Sequence, residues 1–205
     1  MFLRVIVIAI GAIAQVAPAG QALSSEAWLS ALRQGGYVLV MRHASSPPEA
    51  PDSRTANPDN EKLERQLDAA GRTGATAMGE ALRRLKVPIG AVLTSPTYRA
   101  LQTVKFAGLA NTTSVSELGD GGQSMQGVPA AQAAWLRAKV AEVPTERNTL
   151  IVTHLPNIAR AFPAWGSVVD GETVIVRPDG KGGMTVICEG EDRGMGSTAV
   201  ELDRQ

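Results

Sequence analysis

The sequence predicts an α/β fold: a three-layer sandwich with a mostly parallel central sheet, helices on both faces and a C-terminal antiparallel hairpin. Three observations predict it. Short, almost wholly apolar runs, "YVLVM", "AVLTS" and "NTLIVT", lack the polar alternation of half-exposed strands, as expected when both faces are covered. Stretches with helical spacing of apolar residues separate them, which is the pattern of βαβ units. "ETVIVRPDGKGGMTVICEG", residues 172–190, shows two β-rich runs around an Asp-Gly turn, so an antiparallel pair at a sheet edge.

The elements follow in order. The first residues, "MFLRVIVIAIGAIAQVAPAGQALSS", carry Arg4 before an apolar run from Val5 to Ala14. Ala17-Pro18-Ala19 offers one small-residue cleavage site and Ala22 a second. This is the layout of a secretory signal peptide, and the run is shorter than the roughly 20 residues a membrane span needs. A signal peptide over 1–22 and one domain over 23–205 are expected, with the mature protein periplasmic or secreted and without a stable membrane span. The sole cysteine, Cys188, cannot form an intramolecular disulfide and reads as a small core residue.

"SEAWLSALRQGG" reads as a helix capped by Ser24 or Ser25 and stopped by glycine. "YVLVM" is a buried strand. Residues 44–66, rich in Pro, Ser, Asp and Asn, read as a long loop of the kind that carries function. "LDAAGRTGATAMGEALRRLKV" is a helix, "GAVLTS" a strand, and "PTYRALQTVKFAGL" a helix with Pro96 in its first turn. Residues 111–127 read as irregular apart from a short strand end in "SVSEL". "VPAAQAAWLRAKVAEV" is a helix, "NTLIVTH" a strand, and "LPNIARAF" opens a further helix.

With 20 Lys+Arg against 20 Asp+Glu, the formal net charge is zero, and no block of like charges occurs. Nothing points to nucleic acid or an anionic membrane as partner. An anion site must instead be assembled locally. The chain has only two histidines, His43 and His154, and each follows a buried strand. Ligands of open α/β sheets bind beyond the carboxyl ends of the strands. Arg42 and His43 after the first strand, Arg99 after Ser95-Pro96, and His154 after the third strand should therefore meet at one rim. Two arginines and two histidines suit a compact dianion such as phosphate, because guanidinium forks match phosphate oxygens two at a time. A neutral imidazole held by one nitrogen can attack with the other. A zinc site is disfavoured by the absence of close-spaced ligand pairs and by the arginines.

These motifs resemble the histidine phosphatase superfamily, the phosphoglycerate-mutase-like proteins, and within it the small phosphatases. The family's Arg-His-Gly appears as Arg42-His43-Ala44, followed by Ser46 where the family often has Thr or Ser. Its "SSPxxRAxxTA" is similar to "TSPTYRALQTV", its second histidine motif to "VTHLPNI", and its "RxLxxxGRxxAxxxGxxL" helix to "RQLDAAGRTGATAMGEAL". "GETVIVRPDGKGG" looks like the tail of exported members. The resemblance covers residues 36 to 187. It implies a phosphomonoester hydrolase with His43 as the nucleophile that becomes phosphohistidine. Arg42, Arg99 and His154 would bind the phosphoryl group, Ser46 would add a hydroxyl contact, and no metal or cofactor is required. It also implies a proton donor after the third strand: Glu117, with Asp120 as the alternative. Ala44 departs from the family glycine, which matters only if that position needs positive φ. The substrate class is a small phosphorylated compound: a sugar phosphate, an envelope glycan phosphate or a phosphoprotein. A phosphoglycerate-mutase-like transferase and a catalytically impaired phospho-ligand binding module are the competing readings. Arg65, Arg72 and Asn157 carry no clear role at this level.

Overall fold

The structure, a computed structural model, describes residues 25–47, 64–120 and 128–187. The expected signal peptide, Cys188, most of the loop 44–66 and residues 121–127 lie outside them. Strands β1 (Val38–Arg42), β2 (Ile89–Thr94), β3 (Thr112–Ser114), β4 (Asn148–Thr153), β5 (Thr173–Pro178) and β6 (Met184–Ile187) form one sheet in the order β3-β2-β4-β1-β5-β6. β3, β2, β4 and β1 are mutually parallel; β5 runs antiparallel to β1, and β6 antiparallel to β5. The hairpin thus extends one edge, as the Asp-Gly signal implied. Asp179 shapes its turn by accepting from the backbone N–H groups of Lys181 and Gly183.

Alternation along the strands explains the three layers. In β1, Val38 and Val40 enter one core with Ile151 and Val176, beneath α4 (Ala130–Val140) and α5 (Leu155–Ala161). Leu39 and Met41 enter the other with Val92, Leu150 and Val152, beneath α1 (Ser25–Gln34), α2 (Ala69–Arg84) and α3 (Tyr98–Ala107). Both faces of the central strands are covered, so both faces are apolar.

Several boundaries differ from the sequence reading, each for a local reason. α2 starts at Ala69 because Asp68 caps it, accepting from Gly71 N at 2.6 Å. Pro96 is not in the first turn of α3; it precedes the extended cap residue Thr97. α3 ends at Gly108, whose φ of +63° turns the chain left-handed. The stretch after residue 111 is less irregular than expected: "TTS" pairs with β2 as the edge strand β3. α5 is only seven residues long. No helix among the described residues is long and apolar enough to cross a membrane.

Two glycines of α2 are packing residues. A Cβ on Gly71 would overlap the carbonyl of Ser45, and one on Gly79 would overlap the carbonyl of Ala107. α2 therefore presses on the chain that follows β1 and on the end of α3. Through these contacts the fold locates the loop after His43 and the helix that carries Arg99.

Candidate active site

β1, β2 and β4 end side by side, with β4 in the middle. In register, Arg42 lies opposite Thr153 and Thr94 opposite Val152. The next residues, His43, Ser95 and His154, consequently leave the sheet at one level. His43 N donates to Thr153 O at 2.9 Å, and Ser95 N to Val152 O at 2.9 Å, which extends the ladders by one step.

The ring of His43 is buried and its orientation is fixed. Nδ1–H donates to the carbonyl of Ala44 at 2.8 Å, so Nε2 keeps its lone pair. Arg99 Nε donates to that lone pair at 3.2 Å. Burial lowers the His43 pKa from 6.5 to about 4, with the nearby Arg99, Arg65 and Arg42 pushing the same way and the Ala44 carbonyl opposing. Ala44 itself has no positive φ; its N–H donates to Thr103 Oγ1 at 3.1 Å, and its methyl packs on Leu67 and Ala75. The backbone there makes no demand that only glycine could meet.

Arg99 is the second residue of α3 and bridges both histidines. Its Nη2 lies 3.0 Å from His154 Nδ1 and also pairs with the carboxylate of Asp120. The two imidazole rings stand edge to face with centroids 5.1 Å apart. Burial holds the His154 pKa well below its usual value, reinforced by the charge of Arg99.

Arg42 is held by the segment before β5: Nη1 donates to Val168 O at 2.9 Å, and Nη2 pairs with Asp170 at 2.8 Å. Ser46 is buried, and its carbonyl accepts from Arg65 Nη2 at 3.1 Å. Arg65, which the sequence left without a clear role, thereby joins the cluster. Its pKa is lowered, first by burial and then by the charge of Arg99. Three buried polar atoms here, Arg42 Nε, Arg65 Nε and Ser46 Oγ, have no hydrogen-bond partner among the described residues. Unmet donors around repelling guanidinium groups are what a many-oxygened anion satisfies.

The two candidate acids differ in place. The Glu117 carboxylate accepts from the hydroxyl of its neighbour Ser116 at 2.8 Å in an exposed contact. Asp120 instead reaches Arg99 and comes within 3.9 Å of His154 Nδ1. Asn157, buried on α5, explains the difference. Its Nδ2 donates to Gly119 O at 2.8 Å, and Thr153 Oγ1 donates to Leu118 O at 2.8 Å. These bonds fasten the turn after β3 to β4 and α5, so the chain emerges at Asp120 over the rim. Among the described residues, no group of three or more His, Cys, Asp or Glu side chains is placed to hold a metal ion.

The fold is shared with solved proteins. The chain is similar to the protein histidine phosphatase SixA solved with tungstate, with 23% identity, 73% of this chain and 93% of that one covered, and a TM-score of 0.54. It is also similar to the product of an open reading frame of Mycobacterium tuberculosis, with 20% identity, 81% and 96% covered, and a TM-score of 0.50. At this identity the likeness establishes a common fold. No protein-family model matches the sequence, and no curated protein matches it.

Proposed function

We propose that the protein is a phosphatase of the histidine phosphatase type, cleaving phosphomonoesters through a phosphohistidine on His43. One observation carries the reading: His43 commits Nδ1–H to its own chain and turns a bare Nε2 toward the guanidinium of Arg99. That is the geometry of a nitrogen nucleophile beside an anion seat. The shared fold with a protein histidine phosphatase, and that protein's capture of the oxyanion tungstate, support it.

In this mechanism the phosphoryl oxygens bind among Arg99, Arg42, Arg65, His154 and the Ser46 hydroxyl. His43 Nε2 attacks phosphorus in line as the ester P–O bond breaks. The leaving oxygen takes a proton, and the position of Asp120 favours it over Glu117 as the donor. Water then attacks phosphorus, the P–N bond breaks, and inorganic phosphate leaves with His43 restored. Positioning and neutralisation of phosphoryl charge supply most of the rate.

The test is chemical. Quenching in alkali during turnover should trap phosphate on the peptide carrying His43, since a phosphoramidate survives base and is lost in acid. His43→Ala should abolish both the trapped species and turnover; hydrolysis persisting in that variant refutes the mechanism. We also propose that residues 1–22 are removed on export, on the support of the N-terminal pattern alone. Mass spectrometry of protein from its native host should show a start near residue 20 or 23, and a cytosolic protein starting at Met1 overturns this.

A further inference from the structure

Which nitrogen of His154 faces the anion seat decides how the ring meets a phosphoryl oxygen. Arg99 Nη2 lies 3.0 Å from Nδ1. A guanidinium only donates, so Nδ1 accepts and is bare. The single proton of the neutral ring is then on Nε2, which faces Ser95 Oγ at 2.8 Å and Thr97 Oγ1 at 3.2 Å. Ser95 is fully buried, and its Oγ also accepts from Thr97 N at 3.2 Å. Its own hydrogen has an outlet on Thr97 Oγ1, also at 3.2 Å. The hydroxyl is therefore arranged as an acceptor for Nε2–H.

Both bare imidazole nitrogens, His43 Nε2 and His154 Nδ1, thus look toward one guanidinium. For His43 this is the nucleophilic state. For His154 it creates a conflict, because a lone pair would confront the lone pairs of a dianionic oxyanion. A hydrogen must lie between them.

We propose that the site takes its oxyanion together with one proton, shared between the anion and His154 Nδ1, and that Ser95 is the positioning residue responsible, by holding Nε2–H. The proposal rests on the anion seat of the phosphatase reading and adds the protonation state in which the substrate is bound. The proton arrives on a phosphomonoester monoanion, whose P–O–H donates to Nδ1, or from solvent onto Nδ1 beside the dianion. Phosphomonoesters lose their second proton at a pKa of about 6, so both routes are open near neutrality. The groups facing His154 agree with this. Burial keeps the ring neutral, and Arg99 on α3, the His43 ring after β1, Arg65 and Arg42 act in the same direction. An anion between Arg99 and Nδ1 reverses that field. Asp120, 3.9 Å from Nδ1, is the competitor for the same proton.

Two histidines make the experiment direct: nitrogen-15 NMR resolves the ring nitrogens of His43 and His154 without a third residue. The probe is sulfate, a tetrahedral dianion with no proton to bring at neutral pH. In the free protein His154 should be the neutral Nε2–H tautomer and His43 the neutral Nδ1–H tautomer. Saturating sulfate should convert His154 alone to imidazolium, and sulfate affinity should fall about tenfold per pH unit as pH rises, the signature of one linked proton. Ser95→Ala should mix the His154 tautomers and flatten that pH dependence, while Asp120→Asn should preserve it. An Nδ1–H tautomer in the free protein, sulfate bound beside a neutral His154, or loss of proton uptake in Asp120→Asn would each overturn the proposal. Absence of any anion binding sinks it together with the phosphatase reading; intact proton uptake without a trapped phosphohistidine strikes only the latter.

Discussion

Replacing one helix glycine at a time with alanine separates intrinsic helix preference from packing within α2. Gly74 and Gly79 both lie inside the helix, so alanine gains about 1 kcal/mol of helix propensity at either position. At Gly74 the new methyl meets nothing within 4 Å. At Gly79 it overlaps the carbonyl oxygen, carbon and Cα of Ala107, all backbone atoms that cannot rotate away. α2 and α3 would have to part by the order of an ångström. Overpacking of that kind costs about 1–3 kcal/mol, which cancels or exceeds the propensity gain. Gly79→Ala should therefore be less stable than Gly74→Ala by about 1–3 kcal/mol, or about 1 M in urea midpoint for a domain with a slope near 2 kcal/mol per M. There is a functional counterpart, because α3 carries Arg99 between the two histidines. Displacing a positioning group by about 1 Å can cost roughly 100-fold in rate, so Gly79→Ala should also lose turnover while Gly74→Ala keeps it. Urea unfolding at unchanged slope, alongside turnover of an aryl phosphate, makes the comparison. A Gly79→Ala protein that unfolds at the same or higher urea than Gly74→Ala would show that the close approach of α2 to α3 does not exist in solution.

Two further outcomes follow from the site. Asp120→Asn should slow alkyl phosphates about 10²–10⁴-fold more than aryl phosphates, since only a poor leaving group needs the proton, whereas Glu117→Gln should slow both little; the reverse pattern would return the acid role to Glu117. The depressed pKa of His43 makes the unfolded chain bind a proton that the native ring refuses between pH 6.5 and about 4. Stability should accordingly fall with decreasing pH across that window, by up to roughly 3 kcal/mol at its lower end, and the fall should shrink in His43→Gln. Thermal unfolding of both proteins from pH 7 to pH 4 measures it, and identical slopes would refute the buried neutral ring.

The sequence by itself determined the layers, the sheet and the level of the site. Short, β-branched apolar runs without alternation fit strands buried on both faces, and that property is written in consecutive residues from Val38 to Met41 and from Leu150 to Val152. Both histidines were legible for the same reason: each sits one step past such a run, where parallel strands end together. Tertiary structure decided the rest. The order β3-β2-β4-β1 brings Arg99 to His43 across 56 residues and to His154 across 55. Arg42 looked like a free anion ligand, yet the segment before β5 holds most of its fork, through a contact 126 residues away in the chain. Arg65 opens the "RQLDAAGRTGATAMGEAL" match but could equally have been solvated; its hydrogen bond to Ser46 O, across 19 residues, joins it to the cluster. Glu117 and Asp120 are three residues apart with the same charge, and the sequence separates them only by the strand end in "SVSEL", which favours Glu117. Asn157 and Thr153 do so from β4 and α5, by fixing the carbonyls between the two carboxylates. Periodicity is a local property of the chain, whereas the direction of a side chain at the rim depends on hydrogen bonds between segments that only the packed sheet brings together.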